Sequence, residues 1–293
     1  MKNNDITIII KTFNRKDVLI RLLHSIEKFY PELPIIIVDD SKKNYRKEVL
    51  YIFEKLNIKY IVEKYDIGLS AGRNILIDNV KTDYFLLCDD DFEFDERTDI
   101  YKYLNECISK KIDILGGAVY NRMYIDSVYS FLWTIKKISR IKAVIKKDEI
   151  LSIYNGSYTI NDENVVLNIN NDPKDFPLGS IYNTDICSNF FIGNTRKIKA
   201  IGGWTPDFLK VGEHEFFFLK ALKNNLIVKY SPDFGVIHYP KKTLNYIRFR
   251  KRSSKLFKDA CVYSKLNRFI VIDKNGVLKY NFDLNESEAN SNE

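Results

Sequence analysis

The first 120 residues alternate between two hydrophobic periods, and this alternation limits the chain to few architectures. Ile6-Thr7-Ile8-Ile9-Ile10 is a β-branched run that reads as a strand buried on both faces. Val18, Leu19, Leu22, Leu23, Ile26 and Phe29 then recur at helical spacing, with Asn14 placed to cap that helix and Pro31 and Pro34 to end it. Ile35 to Val38 is a second strand, Val49 to Leu56 a second helix, and Ile58 to Val62 a third strand. A helix from about Ser70 to Asn79 precedes the strand Tyr84 to Cys88, and one over Glu96 to Lys110 precedes a strand near Ile112 to Leu115. Such alternation builds a parallel sheet with helices on both faces, and ligands bind beyond the carboxyl ends of its strands. Thr12 to Arg15, Asp39-Asp40 and Asp89-Asp90-Asp91 all lie just past strand ends.

The second half is less regular. A hairpin is expected near Tyr154 to Asn168, a helix over Phe216 to Leu222 and a strand over Leu226 to Tyr230. The polar tail from Asn285 reads as disordered. The expected organisation is one catalytic domain over residues 1–240, a basic C-terminal extension over 241–284 and the tail over 285–293. Within the extension, Tyr246 to Lys258 fits a helix that lies on a membrane or on a partner subunit.

Composition excludes several classes. With 45% apolar and 14% aromatic residues the chain is globular rather than disordered. No segment reaches the length of a membrane span, and Ile6 to Ile10 runs straight into Lys11, unlike a signal peptide. Cys88, Cys107, Cys187 and Cys261 form no Cys-x-x-Cys pair, which fits a reducing cytoplasm. The net charge of +7 is concentrated in Lys136 to Lys147 and Lys241 to Lys258, a pattern open to solvated faces or to an anionic partner. No nucleic-acid motif accompanies it, so no nucleic acid is expected.

Five motifs and two single residues carry candidate chemistry. The acidic triplet reads either as a divalent-cation site or as a solvated turn; in an extended chain Asp89 and Asp91 point one way and Asp90 the other. Lys11-Thr12-Phe13-Asn14-Arg15 offers donors to a phosphate or a base, or simply starts a helix. Asp39-Asp40-Ser41 offers acceptors to a ribose, or caps the next helix. Gly68-Leu69-Ser70-Ala71-Gly72-Arg73-Asn74 offers close backbone approach to a ligand, with Arg73 in a first helical turn. Glu213-His214-Glu215 provides a general base, or acids at a helix N-terminus. His238 follows an apolar strand and either is structural or completes the site begun by the triplet. Trp204 suits a sugar ring or the core equally.

In order and spacing these pieces resemble the nucleotide-sugar-dependent glycosyltransferases of the GT-A fold, in the broad family 2 group. The match looks closer to the β-1,4-N-acetylgalactosaminyltransferases that make ganglioside sugars. It rests on Ile10-Lys11-Thr12-Phe13-Asn14-Arg15, Phe29-Tyr30-Pro31, Asp39-Asp40-Ser41, Ala71-Gly72-Arg73-Asn74, Asp89-Asp90-Asp91-Phe92, Gly116-Gly117-Ala118-Val119, Asn189-Phe190-Phe191 and Glu215-Phe216-Phe217. It covers about Ile6 to Pro240.

The resemblance implies an α/β fold of GT-A (Rossmann-like) type, a mixed, mostly parallel sheet flanked by helices, here with a C-terminal helical extension. It implies a UDP-sugar donor, most closely UDP-GalNAc, a glycan or glycolipid acceptor, and Mn²⁺ or Mg²⁺ on the donor diphosphate. Asp89, Asp91 and His238 would hold the metal. Thr12, Asn14, Arg15, Asp39, Asp40, Gly72, Arg73, Asp89 and Asp90 would surround the nucleotide. Glu215 would be the base, with Glu213 as the alternative, because Glu213-His214 also resembles the Glu-Asp pair of general family 2 enzymes with His in place of Asp. The chain would then be cytoplasmic or peripheral at the inner face of a membrane, touching it through residues 241–258, and serve surface-polysaccharide synthesis. Another UDP-hexose donor, or a non-catalytic glycan- or nucleotide-binding module, is the alternative. A sugar-phosphate nucleotidyltransferase fits less well, since Lys11 to Asp17 holds no glycine.

Overall fold

The computed structural model describes residues 5–122, 149–205, 212–239, 261–262, 264–273, 276 and 278–283. The expected alternation is present: β1 (Ile6–Thr12), α1 (Lys16–Phe29), β2 (Ile35–Asp39), α2 (Arg46–Ile52), β3 (Ile58–Val62), α3 (Leu69–Asn79), β4 (Tyr84–Asp89), the short β5 (Phe92–Glu93), α4 (Ile100–Ser109) and β6 (Ile114–Arg122). Then follow β7 (Glu149–Ser152), β8 (Asn155–Asn161), β9 (Asn164–Asn170), β10 (Tyr182–Asn183), β11 (Phe191–Asn194), α5 (Thr195–Ala200), α6 (Glu213–Lys223), β12 (Val228–His238), β13 (Arg268–Asp273) and β14 (Leu278–Asp283).

The main sheet runs β10-β12-β6-β11-β4-β1-β2-β3, with β5 on β12 and β7 on β6. β1, β2, β3 and β4 are mutually parallel, and β12 is parallel to β6; β11 enters antiparallel between β4 and β6. All seven residues of β1 are buried, as a strand covered on both faces requires. Leu19, Leu22, Leu23 and Ile26 of α1 pack on Ile8 and Ile10 of β1 in one apolar cluster, where truncating one leucine to alanine costs about 2–5 kcal/mol.

Asn14 does not cap α1. Arg15 occupies the cap position, and its side chain makes no capping bond to the helix. Asn14 adopts a left-handed φ of 55°, which asparagine tolerates. Its Oδ1 accepts from the Lys42 N–H at 3.2 Å, and its own N–H donates to Ser41 Oγ at 2.7 Å. It therefore ties the loop after β1 to the loop after β2. The fourth helix begins four residues later than expected, at Ile100, because Asp99 accepts from the Lys102 N–H and caps it there.

A second sheet, ordered β14-β13-β9-β8, includes the expected hairpin. Between the two sheets lies α6. Phe217 stacks on Trp204 at 4.3 Å between ring centres, and Phe216 meets Phe269 of β13 at 5.3 Å. The described part of the C-terminal extension is helical at Cys261 and Val262 and then forms a strand hairpin joined to β9. Residues 240–260, where the helical and membrane-contact expectations fall, lie outside the described residues, as does the tail. Among the described residues no helix is long and apolar enough to cross a membrane.

Candidate active site

Parallel pairing sets Thr12 beside Asp39, and Lys11 beside Asp89, so the expected polar clusters share one sheet edge. The triplet does not keep strand alternation. β4 ends at Asp89, and Asp90 and Asp91 lie in a turn. The turn brings Asp90 and Asp91 together on Arg15, whose Nη2 pairs with Asp90 and whose Nη1 donates to Asp91 Oδ2 at 2.6 Å. Thr12 Oγ1 donates to Asp90 Oδ2 at 2.7 Å. Asp90 is fully buried; burial pushes its carboxyl up to about 6, against the pull of Arg15 and with the push of Asp91. Thr12 and Arg15 therefore hold the acidic turn from within.

Asp91 also faces His238, with Nε2 3.4 Å from Asp91 Oδ2. His238 Nδ1 lies 2.6 Å from Asn121 Oδ1. In one tautomer His238 Nε2–H donates to Asp91; in the other, with Asn121 accepting from Nδ1–H, Nε2 presents a lone pair and the two acceptors suit a cation between them. Among the described residues no three His, Cys, Asp or Glu side chains converge as a complete metal cage. The pair fits an ion that draws its remaining ligands from phosphate oxygens and water.

Asp39 and Asp40 serve different ends. Asp39 is enclosed, accepting from the Ser41 N–H at 2.9 Å, the Tyr45 N–H at 3.1 Å and Tyr60 Oη at 2.7 Å, so it builds its own loop instead of facing a ribose. Asp40 forms a buried pair with Lys11; burial pushes its carboxyl up while Lys11 opposes, and burial pulls the Lys11 ammonium down. Gly72 is small because Lys11 passes over it. A Cβ there would sit 2.3 Å from Lys11 Cε. Phe13 and Tyr65, which sequence reasoning passed over, pair at 5.5 Å near this loop, with Tyr65 52% exposed. The aromatic residue within the Thr12-Phe13-Asn14 turn was the available signal.

Arg73 is fully buried. Its Nη2 donates to Asp89 Oδ1 at 3.3 Å, and its Nη1 lies 3.6 Å from Glu213 Oε1. Asn189, also missed as a site residue, donates to Asp89 Oδ2 at 3.4 Å. Trp204 is fully buried against Phe217 and belongs to the core, not to a sugar ring.

Gly212, at φ 81°, starts α6 so that its first turn presents Glu213, His214 and Glu215 in different directions. Glu213 turns towards Arg73. Glu215 turns towards the second sheet, where its Oε1 accepts from Tyr154 Oη at 2.9 Å and its carbonyl from Tyr158 Oη at 2.7 Å. Burial, then Glu213, pushes the Glu215 carboxyl up. The structure therefore brings Glu213, not Glu215, to the Asp89 side. His214 is half-buried with an enclosed, unbonded Nδ1, and its pKa is lowered to about 3 by burial and by Arg73. Its neutral form is the folded form, so stability falls as pH drops below the ordinary histidine value of about 6.5. Between pH 6.5 and 5 the wild type is expected to lose about 2 kcal/mol more than His214→Gln, as read by urea unfolding at each pH.

Comparison with known proteins gives the family and the fold. The family described as Glycosyl transferase family 2 matches residues 7–169. The chain is 30% identical over 213 residues to Beta-1,4 N-acetylgalactosaminyltransferase 1 of Mus musculus, covering 72% of this chain and 35% of that one. It is 32% identical over 130 residues to Chondroitin synthase of Pasteurella multocida, covering 43% and 13%. The chain thus spans about a third of the length of the N-acetylgalactosaminyltransferases it matches. The fold matches S. aureus TarS 1-349 in complex with UDP-GlcNAc, with a TM-score of 0.54 at 16% identity over 83% of this chain and 60% of that one. It also matches GalNAc-T7 with UDP, GalNAc and Mn²⁺, with a TM-score of 0.57 at 14% identity over 81% and 43%. With its GT-A architecture and a family match over more than half its length, the chain belongs to glycosyl transferase family 2.

Proposed function

We propose that this chain moves a hexosamine, GalNAc, from a UDP-sugar to a hydroxyl of a glycan acceptor, forming a β-linkage with inversion. The observation that carries the proposal is the meeting of Asp91 and His238 on the sheet edge where Thr12 and Asp40 also end. The N-acetylgalactosaminyltransferase relatives support the choice of sugar.

The nucleoside lies over the ends of β1 and β2, where Phe13 and Tyr65 offer ring faces and Asp40 lies beneath. Asp91 and His238 would hold a divalent ion. When bound, Mn²⁺ or Mg²⁺ supplies a Lewis acid to the departing diphosphate. Glu213 takes the proton of the acceptor hydroxyl. That oxygen bonds to the anomeric carbon as the bond to the diphosphate oxygen on the opposite face breaks, and UDP leaves with the electron pair.

A second reading, a family 2 transferase that takes another UDP-hexose for a surface polysaccharide, is favoured by the similarity to the chondroitin synthase. A panel of UDP-sugars separates the readings. UDP-GalNAc is expected to turn over fastest, with activity abolished by EDTA and restored by Mn²⁺. Faster turnover of another UDP-hexose would favour the second reading. Calorimetric binding of UDP with no turnover of any donor would mark a binding module.

A further inference from the structure

Gly72, Arg73 and Asn74 occupy one turn of α3, yet each serves a different segment. Gly72 makes room for Lys11. Asn74 accepts from the Trp204 N–H at 2.8 Å and donates to the Trp204 carbonyl at 2.7 Å, fixing the loop that leads towards α6. Arg73 stands between Asp89 at the end of β4 and Glu213 in the first turn of α6. Its guanidinium has no exposure, so the nucleotide contact implied by the resemblance is not available to it. Its two carboxylate contacts are long, and its Nε and Nη1 have no hydrogen-bond partner. A buried cation held this loosely is shared between two anions, not locked to one.

We infer that Arg73 is a positioning residue that acts through Glu213: it ties the donor-side carboxylate Asp89 to the acceptor-side carboxylate Glu213 and fixes the place of the base relative to the donor. The inference rests on the reading of Glu213 as the base. A fixed base matters because proton transfer needs hydrogen-bond reach, and a displacement of about 1 Å costs on the order of 100-fold.

The test uses the full chain with three single variants, Arg73→Gln, Arg73→Lys and Glu213→Gln, and one double variant. Arg73→Gln is expected to lower kcat about 100-fold, while the calorimetric Kd for UDP with Mn²⁺ stays close to wild type. Arg73→Lys is expected to recover part of that loss, since a point charge attracts both carboxylates but lacks the fork that spans them. The double variant Arg73→Gln/Glu213→Gln is expected to be no slower than Glu213→Gln alone, because an effect transmitted through Glu213 disappears with it. Additive losses in the double variant would overturn the inference, as would a tenfold weaker Kd for UDP in Arg73→Gln at unchanged kcat. Should Glu213→Gln itself transfer at the wild-type rate, the base assignment fails; should it be slow while Arg73→Gln is fast, the coupling alone fails. If Arg73→Gln proves insoluble, Arg73→Lys, Glu213→Gln and their double variant give the same comparison.

Discussion

Asp91→Asn is expected to lower transfer by about 10³-fold while leaving the protein folded. The magnitude follows from the several kcal/mol that a Lewis acid contributes to a departing anion. Asp91 is the carboxylate best prepared for that task. Burial pushes its carboxyl up, but the His238 contact and Arg15 outweigh burial and hold it below the usual range. An amide of the same shape keeps the turn, since the Tyr239 N–H donates to the Asp91 backbone carbonyl at 3.0 Å and Arg15 retains Asp90. Two measurements check the outcome: Mn²⁺-dependence of turnover, and the UDP affinity with and without Mn²⁺. Wild-type turnover by Asp91→Asn at the same Mn²⁺ concentration would remove the assignment.

The second large effect separates two acids. Glu213→Gln is expected to lower kcat by about 10²–10⁴-fold at unchanged UDP affinity. Glu215→Gln is expected to stay within about tenfold of wild type, because a glutamine Oε1 still accepts from Tyr154 and the backbone carbonyl that receives Tyr158 is untouched. Residues two apart on a helix differ by about 200° around its axis, so the two acids do not serve one rim together. Steady-state kinetics of both variants decide the matter; a slow Glu215→Gln beside a fast Glu213→Gln would reverse the assignment.

Much of the first half was legible because strands buried on both faces leave continuous apolar runs, as Ile6 to Ile10 and Tyr84 to Cys88 do. The polar clusters were legible as strand ends for the same reason. What each residue does there was not. The alternation rule placed Asp89 and Asp91 on one side, but it holds only in extended chain, and the turn after Asp89 turned Asp90 and Asp91 together onto Arg15. Asp39 and Gly72 sit in positions typical of ligand loops, yet the first is consumed by its own loop and the second by Lys11. Nothing local distinguishes Glu213 from Glu215; the direction of each is set by where Gly212 starts the helix and by Tyr154, some sixty residues earlier. The hairpin near Tyr154 to Asn168 was visible in local alternation, whereas its parallel neighbour β13 depends on pairing that no local pattern records.

That pairing also sets an order of events. β13 aligns Arg268 with Asn164, so the second sheet closes only after residues about a hundred positions beyond β9 have left the ribosome. The strand ends bearing Thr12, Asp40 and the acidic turn come from the first 91 residues and need nothing so distant to meet. The helix bearing Glu213 gains its first wall from Trp204 and must wait for Phe269 to supply the second. During synthesis, the part of the rim assigned to the nucleotide is in place before the helix assigned to proton transfer is fully walled in.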